Sequence, residues 1–200
     1  MEKRPFIVGV GGTLRPGSST ERAVATCLAA AAKAGARTTL VKGADLLFPH
    51  YNPDDLSRTE QARNFIELIR QCDGLIVGSP GYHGSISGLI KNALDYTEDL
   101  RSDERVYLDS RAVGCIATGA GWQSIGSTIA ALRSVVHALR GWPAPLAVGI
   151  NTSTRAFDNE GRCLDQNIEQ QLATVGRQVV AFARAFSNQG SSFKDGVAAA

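Results

Sequence analysis

The chain has 200 residues, enough for one domain with a full hydrophobic core. Apolar residues make up 44% and charged residues 20%, an ordinary balance for a globular protein in water. A net charge of +2 without any Lys/Arg run excludes a nucleic-acid-binding surface of the usual basic kind, and no apolar run reaches the length of a membrane span. Met1 to Pro5 lacks the apolar stretch of a signal peptide, so a cytoplasmic location is expected. Cys27, Cys72, Cys115 and Cys163 are scattered without redox or metal-ligand spacing. The first three fall in apolar stretches and read as small core residues in a reducing compartment.

Phe6-Ile7-Val8-Gly9-Val10 is short, apolar and β-branched, the pattern of a buried strand. A loop over residues 13–20 leads into a helix whose stripe is Ala23, Val24, Cys27, Leu28 and Ala31, stopped by Gly35. Residues 38–41 form a second strand, followed by an irregular connection with Pro49 and Pro53. Ser57-Arg58-Thr59-Glu60 has capping-box spacing and opens a helix with Ala62, Phe65, Ile66 and Ile69 on one face. A third strand over 74–78 runs into a Gly/Ser/Pro-rich loop, and a helix follows over 87–96. Beyond the charged segment 98–105 come a strand at 112–117, a loop over 118–122, and a helix marked by Ile125, Ile129, Leu132, Val136 and Leu139. Gly141 stops that helix. Residues 145–150 read as the fifth strand, with proline at its start where the missing N–H matters least. The last helix carries Ile168, Leu172, Val175, Val179, Ala183 and Phe186. These elements predict one domain over residues 1–187 and a flexible polar tail over 188–200.

Five β-α units imply an α/β fold: a doubly wound, five-stranded parallel sheet inside three α/β/α layers, with strand order 2-1-3-4-5. That order sets strands one, three and four side by side, and the three glycine-rich loops follow those same strands. Their convergence on the carboxyl edge of the sheet marks a ligand site.

The first loop supplies Thr13, Arg15, Ser18, Ser19 and Thr20 and runs into a helix N-terminus, which suits a phosphate. The same pattern also suits an ordinary capped turn. Two nucleotide motifs fail here. Leu14 occupies the third glycine position of a dinucleotide fingerprint, and Ser18 replaces the lysine of a P-loop. The second loop supplies Pro80, Gly81, Tyr82, His83, Gly84 and Ser85; the third supplies Thr118, Gly119, Ala120 and Gly121.

The stretch Ser79-Pro80-Gly81-Tyr82-His83-Gly84-Ser85-Ile86-Ser87-Gly88-Leu89-Ile90-Lys91-Asn92-Ala93-Leu94-Asp95 resembles the second flavin-binding loop of the NAD(P)H-dependent FMN reductase family, with its Ser-Pro-x-Tyr-x-Gly-Ser-x-x-Gly-x-x-Lys-Asn-x-Leu-Asp signature. Gly12-Thr13-Leu14-Arg15-Pro16-Gly17-Ser18-Ser19-Thr20 is similar to the family's first loop, with threonine in place of a serine and an asparagine. The resemblance implies a flavodoxin-like fold that binds FMN among the three loops, with Pro80 to Ser85 along the ring and Thr118 to Gly121 at its polar edge. It implies NADH or NADPH as electron donor, delivering a hydride to flavin N5, and a homodimer or homotetramer. Some members supply reduced FMN to a partner monooxygenase; others reduce quinones, azo dyes or chromate. A non-enzymatic flavodoxin-type electron carrier is a further alternative, disfavoured because such carriers are strongly acidic. No catalytic side chain and no metal ligand is assigned. His83 reads as a pocket-lining residue, since hydride transfer to flavin needs little help from a protein acid. Lys91 and Asn92 read as helix residues supporting the loop or a subunit contact.

Overall fold

β1 (Phe6–Gly11) is buried along its whole length, which is why its sequence is a continuous apolar run. The computed structural model describes residues 4–188. β1 pairs in parallel with β2 (Arg37–Val41) on one side and β3 (Gly74–Tyr82) on the other. β3 in turn pairs in parallel with β5 (Ala112–Gly119), Gly74 opposite Ala112 and Pro80 opposite Thr118.

The period of two along these strands separates two cores. Phe6, Val8 and Val10 face Phe65 and Ile69 of α2 (Glu60–Gln71), Ile90 and Leu94 of α3 (Gly88–Asp95), and Leu132 and Val136 of α4 (Trp122–Ala138). Ile7, Ile76 and Ile116 face Val24 and Leu28 of α1 (Ser19–Lys33) and Leu172, Val175 and Val179 of α5 (Gln166–Asn188). The architecture is therefore a mostly parallel sheet between two helical layers.

Among the described residues the sheet has seven strands rather than the expected five. Its order is β2-β1-β3-β5-β6, β6 being Trp142–Pro143, with β4 (Ser85–Ile86) on β3 and β7 (Val148–Asn151) also on β5. Two local causes account for the correction. First, β3 does not stop at Gly78. Ser79 and Pro80 stay in register with Ala117 and Thr118, while β1 has already ended opposite Gly78, so the proline faces no β1 partner on its other side. The chain then folds back on itself through His83 (φ 51°) and Gly84 (φ 88°), a two-residue turn of the I′ kind, and β4 pairs antiparallel with β3. What the sequence presents as a loop is mostly a hairpin. Second, the fifth strand expected over 145–150 is two pieces, β6 (Trp142–Pro143) and β7, both parallel to β5. Pro145 lies between them and has no N–H to give the ladder. Side chains fill in there: Arg133 donates to the Ala144 carbonyl at 2.9 Å, and Gln178 accepts from the Leu146 amide at 3.4 Å.

The capping box at Ser57 does not form. Thr59 is the N-cap of α2, its hydroxyl accepting from the Ala62 amide, because Asp55 already holds both the amide and the hydroxyl of Ser57. Segment 98–111 packs at the end of the sheet where the strands begin. Arg111, fully buried, donates to the carbonyls of Arg70, Cys72, Tyr107 and Asp109, and Arg105 joins it on Cys72. Among the described residues no helix is long and apolar enough to cross a membrane. The tail expected over 188–200 falls, from residue 189 onward, outside the described residues.

Candidate functional site

The loops that leave β1, β3 and β5 meet at the carboxyl edge of the sheet, and a set of side-chain bonds holds them together. Ser18 caps α1, its hydroxyl accepting from the Glu21 amide at 3.3 Å. The amides of Ser19 and Thr20, in the first turn, take no partner from that cap, so donors and the positive end of α1 remain directed at the loop. Thr13 accepts from the Arg15 amide at 3.0 Å, and residues 14–17 are exposed, Arg15 included. Thr20 is buried. Its hydroxyl lies 2.6 Å from that of Thr118, joining the first loop to the third.

The second loop is anchored at its base. The Ser87 hydroxyl donates to the Gly12 carbonyl at 3.3 Å and also accepts from the Ile90 amide, capping α3. The Ser87 amide donates to Ser79 Oγ at 2.9 Å, and Ser79 donates to the Pro80 carbonyl. Gly81 sits hard against α4: a Cβ there would lie 2.6 Å from Ser124 Oγ and 2.7 Å from Thr128 Oγ1. Ser124 donates to the Gly81 carbonyl at 3.2 Å, and the Thr128 hydroxyl lies 3.3 Å from the Ser85 carbonyl. Gly81 therefore permits packing of the hairpin on α4. The tip itself, Tyr82 to Ser85, is exposed, with Tyr82 at 57%.

In the third loop Thr118 is buried, while Ala120 and Gly121 are exposed. Gly121 begins α4 without any side-chain cap, which leaves that helix's first amides available to an acceptor. The residues named from the sequence thus gather on one edge, but in two groups. Ser18, Thr20, Thr118 and Pro80 are buried in the framework. Thr13, Arg15, Ser19, Gly81, Tyr82, His83, Gly84, Ser85, Gly119, Ala120 and Gly121 are exposed or half-exposed there.

Sequence reading missed the framework side chains Ser79, Ser87, Ser124 and Thr128. Ser87 carried a signal, an N-cap type directly before an apolar helix; Ser124 and Thr128 carried only their four-residue spacing on one helix face. It also missed a fourth loop after β7, where the Thr152 amide donates to the Gly119 carbonyl at 2.8 Å. Farther along that loop, Arg22 of α1 donates to the carbonyls of Asp158 and Asn159 beside an open groove of about 470 Å³. Asn92 supports a neighbouring segment. It accepts from the Tyr51 amide at 2.8 Å and donates to the Pro49 carbonyl at 3.0 Å, tying the β2–α2 connection to α3.

The sequence pattern of the family described as NADPH-dependent FMN reductase matches residues 5–155. The chain belongs to that family. The match takes in all three loops and stops inside the fourth. Among characterised relatives, the FMN-dependent NADPH-azoreductase of Staphylococcus aureus is 33% identical over 113 residues, covering 56% of this chain and 56% of its own. The chain thus spans about half the length of the curated relatives it matches. Among solved structures, the flavoenzyme NAD(P)H:(acceptor) oxidoreductase FerB from Paracoccus denitrificans superimposes with a TM-score of 0.67 at 22% identity, over 92% of this chain and 99% of that one. An apo NADH:FMN oxidoreductase gives 0.65 at 21% identity, over 90% and 89%. These two likenesses place the flavodoxin-like fold of the family on this chain.

The residues present suit a flavin mononucleotide. An acceptor-seeking helix N-terminus at the first loop matches a phosphate ester, and a second uncapped helix start at the third loop matches a polar ring edge. Between them lies a buried pair of hydroxyls.

Proposed function

We propose that this chain is an NAD(P)H-dependent FMN oxidoreductase holding FMN between its three loops. The observation that carries the reading is the cross-linked loop edge in a chain of this family: Ser19 and Thr20 amides that take no partner among the described residues, and an uncapped α4 start at Gly121. Bound there, FMN would supply a hydride acceptor at N5 for NADH or NADPH and an electron donor for the next acceptor. Thr13, Arg15, Ser18, Ser19 and Thr20 form the phosphate end, with Arg15 as its cation and Ser18 acting through the cap. Pro80, Gly81, Tyr82, His83, Gly84 and Ser85 line the ring, with backbone groups serving its polar edge. Thr118, Gly119, Ala120 and Gly121 would meet the ring's polar edge from the third loop, where amides of the α4 start would favour negative charge on the reduced ring. His83 lines the exposed tip and transfers no proton. NADH or NADPH would reach the flavin from the solvent-exposed side of the three loops.

A second reading is favoured by the likeness to azoreductases: the same site passes electrons to azo dyes, quinones or chromate rather than releasing reduced FMN to a partner monooxygenase. The unit is a homodimer or homotetramer in the cytoplasm.

The deciding experiment records the visible spectrum of the purified protein and follows NADH and NADPH oxidation with and without added FMN. Rapid nucleotide oxidation above the free-flavin background is expected. A yellow protein that reduces added azo dye or quinone supports the acceptor-reductase reading, whereas saturation by free FMN supports release of reduced flavin. Failure both to bind flavin and to oxidise either nucleotide refutes the proposal.

A further inference from the structure

Thr20 stands on α1, after β1, yet its hydroxyl meets Thr118 on β5, two strands away in the sheet. It reaches across β3 because the residue beneath it is Gly78, where an added Cβ would lie 2.9 Å from the Thr20 methyl carbon and 2.6 Å from Val24. The methyl is therefore seated over β3 and the hydroxyl is directed at β5. Thr20 is 1% exposed and Thr118 is 4% exposed, and their oxygens are 2.6 Å apart. Two hydroxyls bring two hydrogens, and one bond between them uses one. Among the described residues the second hydrogen meets no acceptor. A buried hydroxyl hydrogen in that condition is unfavourable, so the position suits an acceptor from outside the chain.

We propose that Thr20 and Thr118 form a clasp that sets the spacing between the first and third loops and donates its spare hydroxyl hydrogen to an acceptor oxygen of the bound flavin nucleotide. This rests on the FMN reading above and deepens it. Thr20 and Thr118 then act as one unit, and removing either hydroxyl removes the effect of both. Their contribution appears in cofactor affinity before any turnover.

The test measures FMN dissociation constants by flavin fluorescence for wild type, T20V, T118V and the double variant, alongside T20S and T118S, with thermal melts of the apo-proteins to verify folding. Valine keeps the shape and deletes the hydroxyl; serine keeps the hydroxyl. Each valine variant is expected to bind FMN about tenfold more weakly. The double variant should be no weaker than either single one, and serine should restore affinity to within about threefold of wild type. Unchanged affinity in T118V overturns the proposal, as do losses that multiply in the double variant or melts that fall while affinity stays constant. If T20V does not fold, T118V and T118S decide alone. Wild-type protein that binds no FMN refutes the functional reading itself and the clasp with it, a result distinct from intact wild-type binding with insensitive variants.

Discussion

Replacing Gly43 by alanine tests whether the β2–α2 connection holds the first loop in place. Gly43 is buried in a short 3-10 turn directly after β2, and a Cβ built on it would lie 1.7 Å from the Thr13 carbonyl oxygen and 2.3 Å from the Thr13 carbonyl carbon. Both are backbone atoms, so no rotamer change relieves the overlap. The turn and the loop must separate by more than about 1 Å, and overpacking of that kind costs about 1–3 kcal/mol. A shift of that size at a positioning loop is also enough to cost on the order of a hundredfold in turnover. Urea denaturation should show the midpoint lowered at unchanged slope, by an amount equivalent to about 1–3 kcal/mol. An FMN titration should show affinity weakened at least about tenfold, since the first loop, which leads into the Ser19 and Thr20 amides, is displaced. Wild-type stability together with wild-type affinity would refute the packing argument. Lost stability with unchanged affinity would refute the link between Gly43 and the cofactor site.

Gly126, in contrast, is exposed within α4 with nothing within 4 Å of an added Cβ. Gly126→Ala should raise stability by about 0.5–1 kcal/mol in the same denaturation assay. Arg111→Met leaves the Arg70, Tyr107 and Asp109 carbonyls without their buried donor, Cys72 keeping Arg105, and should cost about 3 kcal/mol or more; FMN affinity of the folded fraction should stay unchanged, because those carbonyls lie at the opposite end of the sheet. Asn92→Ala should cost about 1–2 kcal/mol and raise amide exchange at Tyr51, read by hydrogen-exchange mass spectrometry. Burial pushes the Cys27 thiol up from 9.0 to about 12 and the Cys115 thiol up to about 11. In the unfolded chain these thiols ionise near 9, so the folded state binds more protons above that pH. Their stabilisation is complete below about pH 9 and is lost as the pH rises through 11 to 12, by about 1.4 kcal/mol per pH unit for each thiol. Denaturation midpoints from pH 8 to 11 check this, and Cys27→Ser with Cys115→Ser should flatten the decline.

Local periodicity made much of this protein legible. The short apolar, β-branched runs of β1, β3 and β5, and the stripes Ala23-Val24-Cys27-Leu28 and Phe65-Ile66-Ile69, identify strands, helices and buried stretches because each needs only neighbours in the chain. Alternation of strands with helices then determined a parallel sheet, and the sheet's carboxyl edge determined where loops rich in glycine and hydroxyls would gather. The long match around Ser79 to Asp95 identified the family, since it pairs specific residues at specific spacings. What only the tertiary structure decided depends on partners distant in sequence. Pro80 continues a strand because β5 runs farther than β1. His83 and Gly84 close a hairpin because Ser85 and Ile86 find β3. Segment 98–111 lies away from the loops because Arg111 meets the carbonyls that end α2. Ser57 yields the cap to Thr59 because Asp55 competes for it. The meeting of Thr20 with Thr118 was equally hidden: it depends on Gly78 lying beneath a threonine from another element, a steric allowance that no local pattern encodes.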